Sequence, residues 1–328
     1  MISGDPRLAR RSVWLVVLNW NGRDDTLELL SGLRSEPAQI LFVDNGSTDG
    51  TIDAVRHSYP EVRTLQLGLN RGFAGGNNAG ISMALSEGAE IIGILNNDTI
   101  VEAGFLAPLV DALADFGPTG RLERAVSPDI RYSDAPELSW WRGSTLDYRS
   151  GWPRHLTKDE QAPADGAEIP TPLLTGCCMV ARAETWRRVG EFDERLFLIY
   201  EDSDWSMRAT SAGVQLLVVP ESRIRHKVSR SFTGRANALG SYYFARNGLI
   251  FAWRHLGVRP TLGFLRDHVL RRSAGEALRR REFGPGAMRL LGVSAAVMGR
   301  RGPAGRIADG AARRLATSWS TRSAQARY

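Results

Sequence analysis

Asp98 closes the run Asn96-Asn97-Asp98 directly after an apolar stretch. One carboxylate, together with diphosphate oxygens and water, is a common way of holding Mg²⁺ or Mn²⁺. The same residue suits an Asx turn or a helix cap at a strand-to-helix joint equally well. Asp44 and Asn45 follow a second apolar run, and their acceptor oxygens match an imide N–H or ribose hydroxyls. Ser47 and Asp49, just beyond, read as capping residues. The loop from Asn70 to Gly76 combines glycines that let backbone approach a ligand with a cation, Arg71. It matches neither the dinucleotide-binding glycine pattern nor the P-loop. Glu201, Asp202 and Asp204 crowd three acids into four positions. The helix macrodipole accounts for acids in a first turn, Asp204 in particular. Their mutual repulsion makes one of them a candidate general base. His226 follows the last apolar strand and has a metal-binding imidazole, although a lone histidine is more often structural.

The elements around these residues alternate in the manner of βα units. Strands are expected at Val13 to Leu18, Ile40 to Val43, Leu65 to Leu67 and Glu90 to Leu95. Helices are expected from Asp24 to Leu33, from a cap at Ser47-Thr48-Asp49 to His57, and from the glycine loop to Ser86. Asn19, Asp44-Asn45 and Asn96-Asn97-Asp98 each come directly after such a strand. In open α/β sheets the ligand crevice lies outside the carboxyl ends of the strands, so the three clusters should converge. Residues 116 to 170, rich in Pro, Gly, Ser and aromatics, read as a long irregular excursion. Regular structure is expected again from Pro172: an apolar run to Ala181, helices near 183 to 189 and 201 to 212, and a strand from Gln215 to Val219. Beyond Tyr242 the chain reads as helices.

Composition narrows the class. With 328 residues, 43% hydrophobic and 24% charged, the chain is globular rather than disordered. Its apolar runs are too short to span a bilayer, and the N-terminal region lacks a signal-peptide pattern. Cys177 and Cys178 are adjacent, which fits a reducing compartment and two small core residues. A cytoplasmic protein is expected. Residues 251 to 328 carry 16 Arg against four acids, a net of +12 within a total of +6. An Arg-rich segment on an acidic body points to a polyanion or an anionic membrane surface.

Taken together, Val16 to Gly22, Val43 to Gly50, Asn70 to Asn77, Leu95 to Asp98 and Glu201 to Trp205 resemble glycosyltransferase family 2, and more narrowly its rhamnosyltransferase-like branch. Five motifs in order make the resemblance specific where each alone is weak. It implies a GT-A fold: a mostly parallel α/β sheet flanked by helices, with a Rossmann-like nucleotide-binding half and an acceptor half. It also implies a nucleotide-diphosphate sugar donor, a divalent metal (Mg²⁺ or Mn²⁺) and inversion at the anomeric carbon. Carried over by position, Asn19, Asp44, Asn45, Arg71, Gly72, Phe73, Gly75, Asn77 and Asn97 would contact the donor. Asp98 and His226 would hold the metal, and Asp202 would be the base. Asn45 and Asn96 stand where the family usually has acids, which leaves one metal carboxylate.

The expected organisation is a donor half over 1–110, an acceptor and base half over 111–250, and a basic helical extension over 251–328. Trp140 and Trp141 are candidate acceptor platforms because sugar faces stack on aromatic rings, a small satellite core being the competing account. Glu201 and Trp205 join them as acceptor candidates. The leading reading is transfer of a sugar, rhamnose among the candidates, from a dTDP- or UDP-sugar to a glycan or lipid-linked acceptor. The basic segment would rest on the inner face of the cell membrane. Competing readings are a small-molecule natural-product acceptor, an inactive member serving as a binding module, and a nucleotidyltransferase. No nucleic-acid partner is expected, since that would leave the carboxylates without a role.

Overall fold

A computed structural model describes residues 12–114, 123–161, 167–228, 235–280 and 282–325. The chain opens with β1 (Val13–Asn19), α1 (Arg23–Leu33), β2 (Gln39–Asp44), α2 (Thr51–Ser58), β3 (Arg63–Gln66), α3 (Gly72–Ser86) and β4 (Ile91–Asn96). β5 (Thr99–Val101), α4 (Leu106–Ala114), β6 (Arg124–Tyr132), β7 (Ser139–Trp141), β8 (Ser144–Asp147), β9 (Trp152–His155) and β10 (Ile169–Pro170) follow. Then come β11 (Cys178–Arg182), α5 (Ala183–Val189), α6 (Glu201–Ser211) and β12 (Gln215–His226). The C-terminal helices are α7 (Arg235–His255), α8 (Val258–Phe264), α9 (Arg272–Arg280), α10 (Gly284–Val297) and α11 (Arg306–Gln325), with a π-helical stretch Leu265–Arg271 between α8 and α9.

The chain divides into two compact units. The first comprises residues 1–145, 154–193 and 202–228; the second comprises 146–153, 194–201 and 229–328. The first unit holds a sheet in the order β10-β12-β6-β11-β4-β1-β2-β3, with β5 on β12 and β7 on β6. β3, β2, β1 and β4 run parallel, as expected of βα units, while β11 inserts antiparallel between β4 and β6. β6 and β12 are again parallel to each other. Alternation of buried and exposed positions is absent from β1, whose residues from Val13 to Val17 are all buried, because α3 covers one face and the sheet is packed on both.

Three expectations are corrected. The 116 to 170 excursion contains β6, a nine-residue strand that takes a central place in the sheet. Ser127-Pro128-Asp129 reads locally as a turn, yet Pro128 lies beyond the short β11 ladder and pairs with Val219 as the last residue before the bulge in β12, the kind of place where a strand tolerates proline. The glycine run expected as a loop forms the first turns of α3. A Cβ at Gly76 would lie 2.5 Å from Leu18 Cδ1, and one at Gly80 would lie 2.3 Å from Val16 Cγ1, so these glycines let α3 sit close on β1. Gly50, in the left-handed region, takes the N-cap position of the helix before Tyr59 in place of Ser47, Thr48 or Asp49, while Asp49 Oδ1 accepts from Thr51 N at 3.2 Å and so still serves the first turn.

The second unit has a small core of its own. Ala238, Tyr242, Tyr243, Met288, Ala295, Ala308 and Ala312 bring α7, α10 and α11 together. A Cβ at Gly292 would lie 2.3 Å from the Tyr242 carbonyl oxygen, so α10 approaches α7 at backbone distance. Among the described residues no helix is long and apolar enough to cross a membrane.

Candidate active site

Asn19, Asp44 and Asn96 are the last residues of β1, β2 and β4, so the polar clusters do fall at neighbouring carboxyl ends. Asn19 is fully buried and works as a junction. Its Oδ1 accepts from Gly22 N at 3.0 Å, Thr26 Oγ1 at 3.1 Å and Asn97 Nδ2 at 3.0 Å, while its Nδ2 donates to Ser47 Oγ at 3.0 Å. Asn97 and Asn19 therefore spend these groups on tying three strand-end loops together. The Asn45 amide is engaged in the same way. It donates to Gly72 O at 3.0 Å and accepts from Arg71 N at 2.8 Å, which fixes the start of α3 against the end of β2. Asn77 is buried and donates to Phe73 O, and Gly75 is buried within α3.

Asp44 differs from these amides. It is fully buried, and its Oδ2 accepts from Ser47 N at 3.3 Å, but its Oδ1 has no hydrogen-bond partner among the described residues. A buried carboxylate oxygen left without a donor is costly unless a ligand supplies one.

Asp98 and His226 meet at the end of β12, where Lys227 N donates to Asp98 O at 3.0 Å and holds the two segments in register. His226 Nε2 lies 3.1 Å from Asp98 Oδ1, and both residues are largely buried. Two ligands at about 2.1 Å from a hard octahedral cation, in adjacent positions, are about 3.0 Å apart. The pair therefore fits two adjacent coordination positions. Among the described residues no group of three or more His, Cys, Asp or Glu side chains is placed to hold a metal, so further ligands would have to come from a diphosphate and water.

Trp140 stands against this pair. Its ring is 4.6 Å from that of His226 and 4.7 Å, edge to face, from that of His155. His155 is an exposed residue at the end of β9, yet its ring is crowded edge-on by Trp140, and the resulting loss of solvent pushes the imidazole below the usual histidine range, against the opposing pull of the Asp202 charge. Asp202 is thus near enough to His155 to act on it electrostatically. Sequence reasoning missed His155, a lone histidine at the end of a strand that sequence could not distinguish from loop. The Asp202 carboxylate is oriented from both sides: Oδ2 accepts from Gly176 N at 2.9 Å, and Oδ1 accepts from Ser203 N at 2.6 Å. A Cβ at Gly176 would lie 2.8 Å from Phe73 Cζ, so Phe73 also borders this corner. The repulsion expected among the three acids is relieved at Asp204, which pairs with Arg208 at 3.0 Å.

Two acceptor candidates are core residues instead. Trp141 is fully buried and donates to Ser144 Oγ at 2.9 Å; Trp205 is fully buried, donates to Gly190 O at 2.9 Å and packs on Trp186. Both satisfy their indole N–H internally and neither reaches solvent. Glu201 is buried as well, whereas Trp140 is partly exposed.

This sheet, with acidic and amide groups gathered at its strand ends, is of the GT-A type. Staphylococcus aureus TarS 1-349 in complex with UDP-GlcNAc superposes with a TM-score of 0.54 at 15% identity, covering 87% of this chain and 81% of that one. GalNAc-T7 with UDP, GalNAc and Mn²⁺ superposes with a TM-score of 0.54 at 16% identity, covering 81% of this chain and only 57% of its own length. At such identities the likeness establishes the fold alone. Residues 14–185 match the profile of glycosyl transferase family 2, and the chain belongs to that family. Within it the chain is rhamnosyltransferase-like: it is 32% identical to the Mycobacterium tuberculosis N-acetylglucosaminyl-diphospho-decaprenol L-rhamnosyltransferase, over 78% of this chain and 91% of that one. It is 22% identical to the Shigella flexneri dTDP-rhamnosyl transferase RfbF, over 66% of this chain and 69% of that one.

Proposed function

We propose that this glycosyltransferase moves rhamnose from a dTDP- or UDP-linked donor to a hydroxyl of a glycan or lipid-linked acceptor, with inversion and with a divalent metal. The observation that carries the reading is the Asp98–His226 pair, 3.1 Å apart and edged by Trp140, with Asp202 bonded to Gly176 N next to Cys177, whose carbonyl accepts from Asn96 N at 3.0 Å. The names of the M. tuberculosis and S. flexneri relatives support rhamnose as the sugar and a lipid diphosphate as the acceptor class.

In this reading the unpartnered Asp44 Oδ1 accepts the imide N–H of the pyrimidine base. The Asn19, Asn45 and Asn97 amides hold the loops that shape the base pocket, and Arg71 sits at the start of α3 near the diphosphate. Asp98 and His226 would hold the metal, and a divalent ion there supplies positive charge to the leaving diphosphate. Asp202 takes the proton of the acceptor hydroxyl at its carboxylate, held in place by Gly176 N and Ser203. The acceptor oxygen then forms its bond to the anomeric carbon as the bond from that carbon to the diphosphate breaks. A single such carboxylate suffices for inversion, and Trp140 offers the acceptor sugar an aromatic face. The basic segment 251–328 would rest on an anionic membrane surface that carries the acceptor.

Calorimetric titration with dTDP, UDP and GDP, with and without Mn²⁺, tests the donor side. Metal-dependent binding of dTDP or UDP that is lost in Asp98→Ala is the expected result. A folded protein that binds none of the three overturns the reading.

A further inference from the structure

α8, the π-helical stretch and α9 form one continuous helix from Val258 to Arg280. The backbone stays right-handed at both joints, with Leu265 at φ −58°, ψ −47° and Arg272 at φ −63°, ψ −45°. One side of this helix is buried: Gly263, Phe264 and Val269 face inward, and a Cβ at Gly263 would lie 2.2 Å from the Arg149 carbonyl oxygen. The other side is exposed at Val258, Leu262, Arg266, Leu270, Ala274 and Leu278, at a constant spacing of four residues. Three of these are leucines with 60%, 50% and 83% of their surface open, at 262, 270 and 278 respectively.

Such a spacing does not stay on one face of an α-helix. With ~3.6 residues per turn, each four-residue step drifts by about 40°. A π-helix, closed by i to i+5 hydrogen bonds at roughly 4.4 residues per turn, drifts by a similar amount in the opposite sense. The π-helical stretch in the middle therefore holds Leu262, Leu270 and Leu278 nearer one line than an uninterrupted α-helix would. Large apolar side chains aligned on an exposed face require an occupant.

Charge identifies it. From 258 to 280 there are six Arg and two acids. Asp267 is taken up by Arg266 and Arg271, and Glu276 by Arg272 and Arg289. Across 251–328 the excess of Arg over acids is twelve, so a second copy of this segment would meet like charge, whereas an anionic lipid surface meets opposite charge. Trp253, 63% exposed near the end of α7, adds the amphipathic ring favoured at a membrane–water interface. We propose that the Leu262/Leu270/Leu278 stripe of this helix beds into the interfacial layer of an anionic membrane, with its arginines on the headgroups. This deepens the membrane-surface part of the proposed function by naming the element that makes the contact.

The test is flotation of the full-length protein with phosphatidylcholine vesicles, alone and with roughly a third phosphatidylglycerol. The wild type is expected to float with the anionic vesicles, less so as salt is raised. The triple variant Leu262→Ser, Leu270→Ser, Leu278→Ser is expected to bind them at least about tenfold more weakly. These positions are exposed, so circular dichroism and thermal melting should match the wild type. Unchanged nucleotide binding in the variant separates a failure here from a failure of the sugar-transfer reading. Equal flotation of variant and wild type overturns the inference. So does a wild type that ignores anionic vesicles and elutes as a dimer that the substitutions convert to a monomer, since a second copy then covers the stripe.

Discussion

Asn247 Nδ2 donates to the Ile199 carbonyl oxygen at 2.7 Å, and Ile199 is held at φ +69°, a region that β-branched residues almost never occupy. Phe197 and Tyr200 share the left-handed sign, at +68° and +77°. The same amide reaches Leu196 O at 2.9 Å and Leu198 O at 2.8 Å, while the fully buried Arg246 donates to Leu196 O at 2.7 Å and to Asn247 Oδ1 at 2.8 Å. Left-handed backbone at non-glycine residues costs about 1–3 kcal/mol each, so these side chains of α7 over-determine a strained segment. That segment leads directly into Glu201 and Asp202.

Asn247→Ala removes the donor and leaves the partly buried Leu198 and Ile199 carbonyls unpaired, which should lower stability by about 1–3 kcal/mol. Relaxation of residues 197 to 200 should also displace the start of α6. The expected kinetic signature, measured well below the melting temperature, is a fall in kcat with donor KM unchanged. A variant that loses stability but keeps full kcat would show that the strain serves packing alone.

His226→Ala leaves Asp98 as the remaining member of its pair. The apparent Mn²⁺ affinity of the nucleotide complex should weaken by at least about tenfold, since a ligating histidine matters no less than the outer-shell groups whose loss costs that much. Titrating Mn²⁺ into a fixed concentration of protein and dTDP reads this directly. An unchanged metal requirement would remove His226 from the site.

Trp140→Ala should raise acceptor KM several-fold and leave nucleotide affinity intact, because its ring borders His226 and His155 rather than the Asp44 end of the sheet. A change confined to nucleotide binding would place Trp140 on the donor side instead.

Because the folded state lowers the His155 pKa, it favours the neutral ring. Below the unfolded histidine pKa, about 6.5, the unfolded chain binds a proton that the folded chain resists. His155 therefore subtracts from stability as pH falls through that value toward the lower folded pKa, and is silent above it. In urea unfolding at pH 7.5 and at pH 5.5, His155→Gln should narrow the gap between the two midpoints. An unaltered gap would mean that other groups carry the acid sensitivity.

The placement of Asn19, Asp44 and Asn96 at strand ends was legible because apolar runs that stop at an amide or acid mark both the strand and the end that faces a ligand. The roles of the amides were not, since an asparagine facing a ligand and one locking a loop have the same sequence signature. Glycines gave a similar ambiguity: Gly76 and Gly80 serve helix-to-strand contact with Leu18 and Val16, which only the paired elements reveal. Trp141 and Trp205 illustrate the third limit, for burial of an aromatic is set by partners such as Trp186 and Ser144 and not by its neighbours in the chain. The strand β6 was hidden because a Ser-Pro-Asp run is punctuation in most contexts and becomes strand only against β12.

Gly22→Ala tests whether the amide junction governs the donor loops. A Cβ at Gly22 would lie 2.3 Å from Asn97 Nδ2 and 3.0 Å from Asn19 Oδ1, so Asn97 must swing away. Doing so gives up its bonds to Asn19 Oδ1, Thr26 Oγ1 and Gly22 O. Loss of this partly buried network should cost about 1–3 kcal/mol, read as a lowered melting temperature. Since Asn19 also holds Ser47, and Ser47 N donates to Asp44 Oδ2, nucleotide affinity should fall together with stability. Thermal shift and calorimetry on the same preparation separate the two effects: a destabilised protein with wild-type nucleotide affinity would confine the junction to folding and leave the base pocket to Asp44 alone.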